Sequence, residues 1–132
     1  MFIDTSVLVA ILADEPDAGT FANKLAQAPH RYTSGLVVLE AAVRLSRMLD
    51  VDPVVAETHI QQVLDEARVS IIPINGSIAR RAVAAFVAYG KSGSHPAQLT
   101  LPDCMSYACA RAYRVPLLSK GNAFLHTDIQ AA

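Results

Sequence analysis

The sequence predicts an α/β protein whose central parallel sheet is covered by helices on both faces. Three observations predict it. Short apolar runs, Phe2-Ile3, "VSIIPI" and "VPLLS", recur between longer stretches with helical spacing of apolar residues. Only 17% of the residues are charged, which suits a filled core and not a disordered chain. A length of 132 residues fits one domain, residues 1–132, and no repeat, low-complexity tract or linker interrupts it.

Phe2-Ile3 reads as a brief first strand, and Asp4, Thr5 and Ser6 supply capping side chains for the helix that follows. Pro16 ends that helix. "DAGTFANKLAQAP" reads as a second helix closed by Pro29, and "HRYTS" as a short strand. "SGLVVLEAAVRLSRMLD" predicts a helix of about four turns, and "VDPVVAETHIQQVLDEAR" another with Pro53 near its first turn. "VSIIPI" is the clearest buried strand, bounded by Asn75-Gly76. "SIARRAVAAFVAYG" is an amphipathic helix with a glycine stop. After the loop "KSGSHPAQLT", "LPDCMSYACARAYR" reads as a helix with Pro102 near its start, and "VPLLS" as the last strand.

Composition narrows the function classes. No apolar run approaches the roughly 18 residues of a membrane span. "MFIDTSVLVAILADEPD" lacks a basic start and has carboxylates on both sides of its apolar part, so it is not read as a signal peptide. Cys104 and Cys109, five apart, form neither a redox motif nor a zinc pattern. They read as buried thiols of a reducing compartment, which predicts a cytoplasmic protein. A net charge of −1 exerts no global pull on nucleic acid, so any such binding rests on a local basic patch or a metal ion.

The carboxylates are unevenly spread. Asp14, Glu15, Asp17, Asp50, Asp52, Glu57, Asp65 and Glu66 sit at helix ends or on polar faces and read as solvated charge. Asp4, Glu40 and Asp103 stand apart. Asp4 directly follows the first strand, Glu40 lies inside "LVVLEAAV", and Asp103 is the only acid between Glu66 and Asp128. Each has a plainer reading: Asp4 as a helix cap, Asp103 as a complement to its helix dipole, Glu40 as a partner of Arg44 one turn on. Taken together, Asp4 and Asp103 fall at junctions on the edge where open α/β sheets bind ligands, and Glu40 is early enough in its helix to face that edge. Converging carboxylates repel one another. A hard divalent cation, Mg²⁺ or Mn²⁺, relieves that repulsion, accepts oxygen ligands and can activate water against a phosphodiester.

At these residues the chain resembles the PIN-domain nucleases and, more narrowly, the VapC-type toxins of bacterial type II toxin–antitoxin pairs. The matching pieces are "FIDTSVLVAIL", "SGLVVLEAAVRL", "GKSGSHPAQLTLPDCMSYACARAY" and "PLLSKGNAFLHTDI", which cover most of the chain in order. The resemblance implies a PIN-like α/β/α sandwich with strand order 3-2-1-4-5. It implies an endoribonuclease dependent on Mg²⁺ or Mn²⁺, an RNA substrate, a small VapB-type antitoxin that blocks the site, and a homodimer, with which an apolar first helix agrees. Asp4, Glu40 and Asp103 would be the catalytic acids, Asp4 and Asp103 the nearer metal ligands, and Ser6 a supporting hydroxyl or simply a cap.

Two departures bear on activity. Pro102 stands where the family usually has Gly, and a first helical turn accepts it. Ala123 stands where the family expects an acid directly before Phe124, and a methyl group cannot ligate metal. The chain therefore reads as a nuclease of reduced activity, or as a silent module that binds antitoxin or RNA; an engineered inactive form and a naturally weakened member both fit. A small-molecule phosphatase is a weaker reading, because nucleophile and phosphate-loop patterns are absent.

Asp128, in "HTDI", reads as a chain-end anchor before a metal neighbour. His30, His59, His95 and His126 show no metal spacing; His59 reads as a helix-face residue, while His95 and His126 fall in loops near the predicted site, where they are candidates for RNA contact. "GKSGSHP" departs from G-x-x-x-x-G-K-[ST] and follows a helix, which argues against nucleotide binding. Arg44, Arg47, Arg80, Arg81, Arg111, Arg114, Lys91 and Lys120 are the candidates for phosphate contact. The few aromatics, none of them Trp, offer little base stacking.

Overall fold

Strands and helices alternate as the apolar runs require. In the computed structural model, which describes residues 1–132, the order is β1 (Phe2–Ile3), α1 (Thr5–Leu12), α2 (Ala18–Gln27), β2 (Tyr32–Ser34), α3 (Gly35–Leu49), α4 (Pro53–Glu66), β3 (Ser70–Ile72), α5 (Gly76–Tyr89), α6 (Leu101–Tyr113) and β4 (Leu117–Leu118). Side chains start most of the helices. Asp4, Ser34, Asp52 and Asn75 each accept from a backbone N–H of the turn they open, and Thr100 and Asp103 form a reciprocal capping box on α6. Gly90 closes α5 for a steric reason: a Cβ there would lie 2.4 Å from the carbonyl oxygen of Phe86.

The sheet is parallel, in the order β3-β2-β1-β4. The expected fifth strand is reduced to one parallel bridge, Leu117 with Ala131, in which Leu117 N–H donates to Gln130 at 2.9 Å and Ala132 N–H to Leu117 at 3.0 Å. Neighbouring strand residues point to opposite faces, and Phe2 and Ile3 are both 0% exposed. Both faces of the central strand are therefore covered. Helices α1 to α4 pack on one another, α5 packs on α6, and α6 lies against β1, β2 and β4.

One expectation is corrected. "VSIIPI" is not the best-buried strand: β3 is an edge, with Ser70 exposed and Ile71 46% exposed, and only Ile72 is buried. Its apolar run reflects one buried face and one open one. The apolar residues of α1 mostly face inward: Val7, Leu8, Val9 and Ala10 are buried within the chain, and Ile11 and Leu12 are left half-buried.

Candidate metal centre

The carboxyl edge of the sheet gathers polar groups from four elements. β1 ends at Ile3, and the Asp4 N–H donates to Leu118 of β4 at 3.0 Å, which fixes the carboxylate at the junction of the two strands. Asp4 is 7% exposed. Its Oδ2 accepts from the Ser6 hydroxyl at 2.8 Å and the Ser6 N–H at 3.2 Å, and its Oδ1 accepts from the Ser106 hydroxyl at 2.9 Å. No Lys, Arg or His side chain pairs with it. Burial pushes its pKa up; the serines oppose that shift, and the charge of Asp103 adds to it. The corner thus holds a buried carboxyl group that hydroxyls support and no protein cation faces.

Asp103 is the third residue of α6. One of its oxygens accepts from the Thr100 N–H at 3.0 Å, and its own N–H donates to the Thr100 hydroxyl at 3.3 Å. The cap reading and the site reading hold together here, since the capping box uses Oδ2 and leaves Oδ1 without a protein partner. Pro102 sits in the same first turn, where its missing N–H costs no helical bond. Glu40, half-buried on α3, accepts from the Thr5 hydroxyl and makes no ion pair with Arg44. Thr5 adjoins Asp4, so the bond carries Glu40 toward the corner. Asp4 and Asp103 thus interact electrostatically and Glu40 is tethered nearby, but no three His, Cys, Asp or Glu side chains close into a ready metal cluster.

The last loop approaches the same corner. Lys120 N–H donates to the Ser6 hydroxyl at 2.9 Å, completing a relay from the loop backbone through Ser6 to Asp4. Gly121 makes the turn at φ +94°, a left-handed conformation suited to glycine. Ala123 opens a short 3₁₀ turn, Ala123–His126, and packs half-buried against the core beside buried Phe124. Lys120 Nζ pairs with Glu15 and, at 3.2 Å, with Asp17, so those two acids hold a loop and are not merely solvated. Asp128 is engaged elsewhere: it accepts from the Tyr107 hydroxyl, and that bond holds its pKa below the ordinary carboxylate value. His95 is occupied within its own loop, its Nδ1 accepting from the Ala97 N–H at 3.1 Å and its ring set edge-on to Tyr89. His126 is exposed.

Sequence reasoning missed Ser106 and Thr100, and read Thr5 only as a capping residue where it donates to Glu40. Ser106 carried a signal: it is a polar position three residues after Asp103, hence on the same helix face. Cys104 and Cys109 are free and buried, and burial raises both thiols, Cys109 to about 11. Inert core thiols result.

Comparison with known proteins bears on the fold and the family. The PIN domain family model matches residues 1–130. Ribonuclease VapC28 of Mycobacterium tuberculosis is 41% identical over 132 residues, covering 100% of this chain and 97% of the relative. Ribonuclease VapC of Mycolicibacterium smegmatis is 40% identical over 131 residues, covering 99% and 98%. Among solved structures, Mycobacterium tuberculosis VapC20, a sarcin–ricin-loop-cleaving toxin, superposes with a TM-score of 0.76 at 18% identity over 99% of this chain and 97% of its own. A toxin–antitoxin complex from Klebsiella pneumoniae gives 0.69 at 23% identity over 93% and 88%. The parallel sheet, the acid after its first strand and the full-length matches together make this chain a member of the PIN domain family, of the VapC type.

Proposed function

We propose that the chain is built as a metal-dependent endoribonuclease toxin that an antitoxin neutralises in the cytoplasm. One observation carries the metal: Asp4 is a buried carboxylate with hydroxyl partners, no cation, and a second carboxylate near enough to raise its pKa. Burial without a facing cation makes ionising Asp4 costly, and a divalent cation at Asp4 and Asp103 would remove that cost. The donor set is all oxygen, and Mg²⁺ needs only one or two protein carboxylates, with waters and phosphate oxygens completing its shell. When bound, such an ion would supply water activation and charge neutralisation at an RNA phosphodiester. Ser6 and Ser106 fix both oxygens of Asp4. The capping box orients Asp103, and Thr5 restrains Glu40 as the third acid.

RNA cleavage with Mg²⁺, with Mn²⁺ and with EDTA tests this reading. Activity that survives EDTA or Asp4→Asn defeats it. A second reading, a silent PIN-fold module that binds antitoxin or RNA without cutting, is favoured by Ala123, because the loop that reaches Ser6 brings a methyl group and no carboxylate. Asp128 does not replace it, being held by Tyr107. For the proposed homodimer, the support lies on α5, where Val83, Phe86 and Val87 form an exposed apolar stripe at helical spacing; light scattering of the purified chain tests it.

A further inference from the structure

Asp103, Tyr107 and Arg111 follow one another on α6 at spacings of four residues, so they form one stripe along the helix, and Arg114 caps the end of it. It begins at the carboxylate corner and ends about 16 Å away, at a rise of ~1.5 Å per residue. Arg81 of α5 faces the same stripe. Two hollows between these elements, of about 240 and 550 Å³, both include Arg81 and Arg111, and the larger one adds Arg114, Asp128 and Gln130. The smaller is walled by Ala84, Ala85 and Ala88, whose short side chains leave room for a bulky chain to lie close to the helix.

The three arginines are exposed and none is in an ion pair. The one carboxylate beside them, Asp128, already accepts from Tyr107. Three guanidinium groups against one carboxylate leave a local surplus of positive charge on a chain whose net charge is −1. Guanidinium forks match phosphate oxygens in geometry and charge.

We infer that the α5–α6 groove is a phosphate track, in which Arg81, Arg111 and Arg114 hold the backbone of the single-stranded RNA flanking the bond at the Asp4–Asp103 corner. This rests on the ribonuclease reading above. RNA is favoured over an acidic peptide because the stripe is continuous with the carboxylate corner, so a polymer held on it is delivered to the acids. The track grips the backbone and reads no base, since Tyr107 is buried and its hydroxyl is engaged.

The test is fluorescence anisotropy of a labelled single-stranded RNA, with cleavage blocked by Asp4→Asn and EDTA, across a salt series. Arg81→Gln, Arg111→Gln and Arg114→Asn are compared singly and together. Arg114 has φ 54°, and Asn accepts that left-handed conformation. Thermal melts check that each variant is folded. Each change should weaken binding about 3- to 10-fold and flatten the log K against log salt slope by about 0.7, while Arg47→Gln changes neither. RNA binding with an unchanged slope in the folded triple variant overturns the track and leaves the ribonuclease reading standing. The same holds if the triple variant loses an acidic peptide but keeps RNA. A chain that neither binds nor cleaves RNA overturns both.

Discussion

The first and the last strand of the sheet end side by side, yet their corners are built differently. After β1, the Asp4 carboxylate is buried and all its partners are hydroxyls or backbone, one of them, Ser106, from a distant helix. After β4, the loop is mostly exposed, makes its turn at Gly121, and presents Ala123. The backbone of the second corner is still held in place, through Lys120 N–H to Ser6 and through the Lys120 ion pairs with Glu15 and Asp17. The contrast teaches that position and chemistry are separable here. The fold places the loop by backbone and ion-pair contacts, and none of these depends on the residue at 123.

The sharpest way to break the comparison is at its charged side. Asp4→Asn should lower Mg²⁺-dependent RNA cleavage by at least about 100-fold, because it removes a central anion of the metal centre. The same variant should be as stable as the parent or more so without metal, by on the order of 1 kcal/mol, since a neutral amide replaces an ionisable group buried without a cation. Cleavage assays beside urea melts read both, and a variant that loses activity only because it unfolds would refute the assignment. The complementary change is at the empty side. Ala123→Asp should raise cleavage about 10- to 100-fold, with little change in melting temperature, because the loop backbone is already in position. Single-turnover cleavage by the two chains side by side decides it: equal rates would mean that the missing acid is not what limits this protein.

How much of this was legible in the sequence differs between the two corners in the same way. Asp4, Glu40 and Asp103 stood out because a charge among apolar residues needs a reason, and Ala123 stood out against the pattern of a family. What holds them could not be read. Ser106 and Asp4 are 102 positions apart, and only the folded chain makes them neighbours. The plainer reading of Glu40 paired it with Arg44, a local contact that helical spacing suggests, yet it bonds to Thr5 across the helix packing of α1 and α3. Local rules likewise overstated β3, because an apolar run cannot say whether a strand lies at the centre or at the edge of a sheet. The fifth strand, expected from family resemblance, is a single bridge between Leu117 and Ala131.

A smaller effect separates support from ligation. Ser106→Ala removes the only protein partner of Asp4 Oδ1. The carboxylate remains, so cleavage should fall about 10-fold and not vanish, and the loss should appear as a higher Mg²⁺ requirement, as for other groups that orient a metal ligand. A Mg²⁺ titration of the rate measures this. If saturating Mg²⁺ leaves the deficit untouched, Ser106 does not act through the metal centre.

The smallest expected effect lies outside both corners, at Tyr107 and Asp128. Tyr107→Phe should leave cleavage unchanged and cost up to about 1 kcal/mol at neutral pH, the value of one hydrogen bond at a partly exposed site. The pH dependence carries the sign. The Tyr107 bond holds Asp128 below its ordinary value of 3.8, so the folded state binds that proton less readily than the unfolded state. That stabilisation is complete above 3.8 and is lost as the pH falls through the lowered folded value. At the alkaline end, burial first and then Asp128 push the Tyr107 hydroxyl above its ordinary value of 10.0. The folded state then keeps a proton that the unfolded state releases, so stability falls as the pH rises beyond that value. The parent and the Phe variant should therefore differ most on the plateau between these limits and converge toward either end. Urea midpoints measured across the range would show a constant gap if Tyr107 contributed only its ring to the packing, and a gap that closes at both ends if the bond to Asp128 is what anchors the tail.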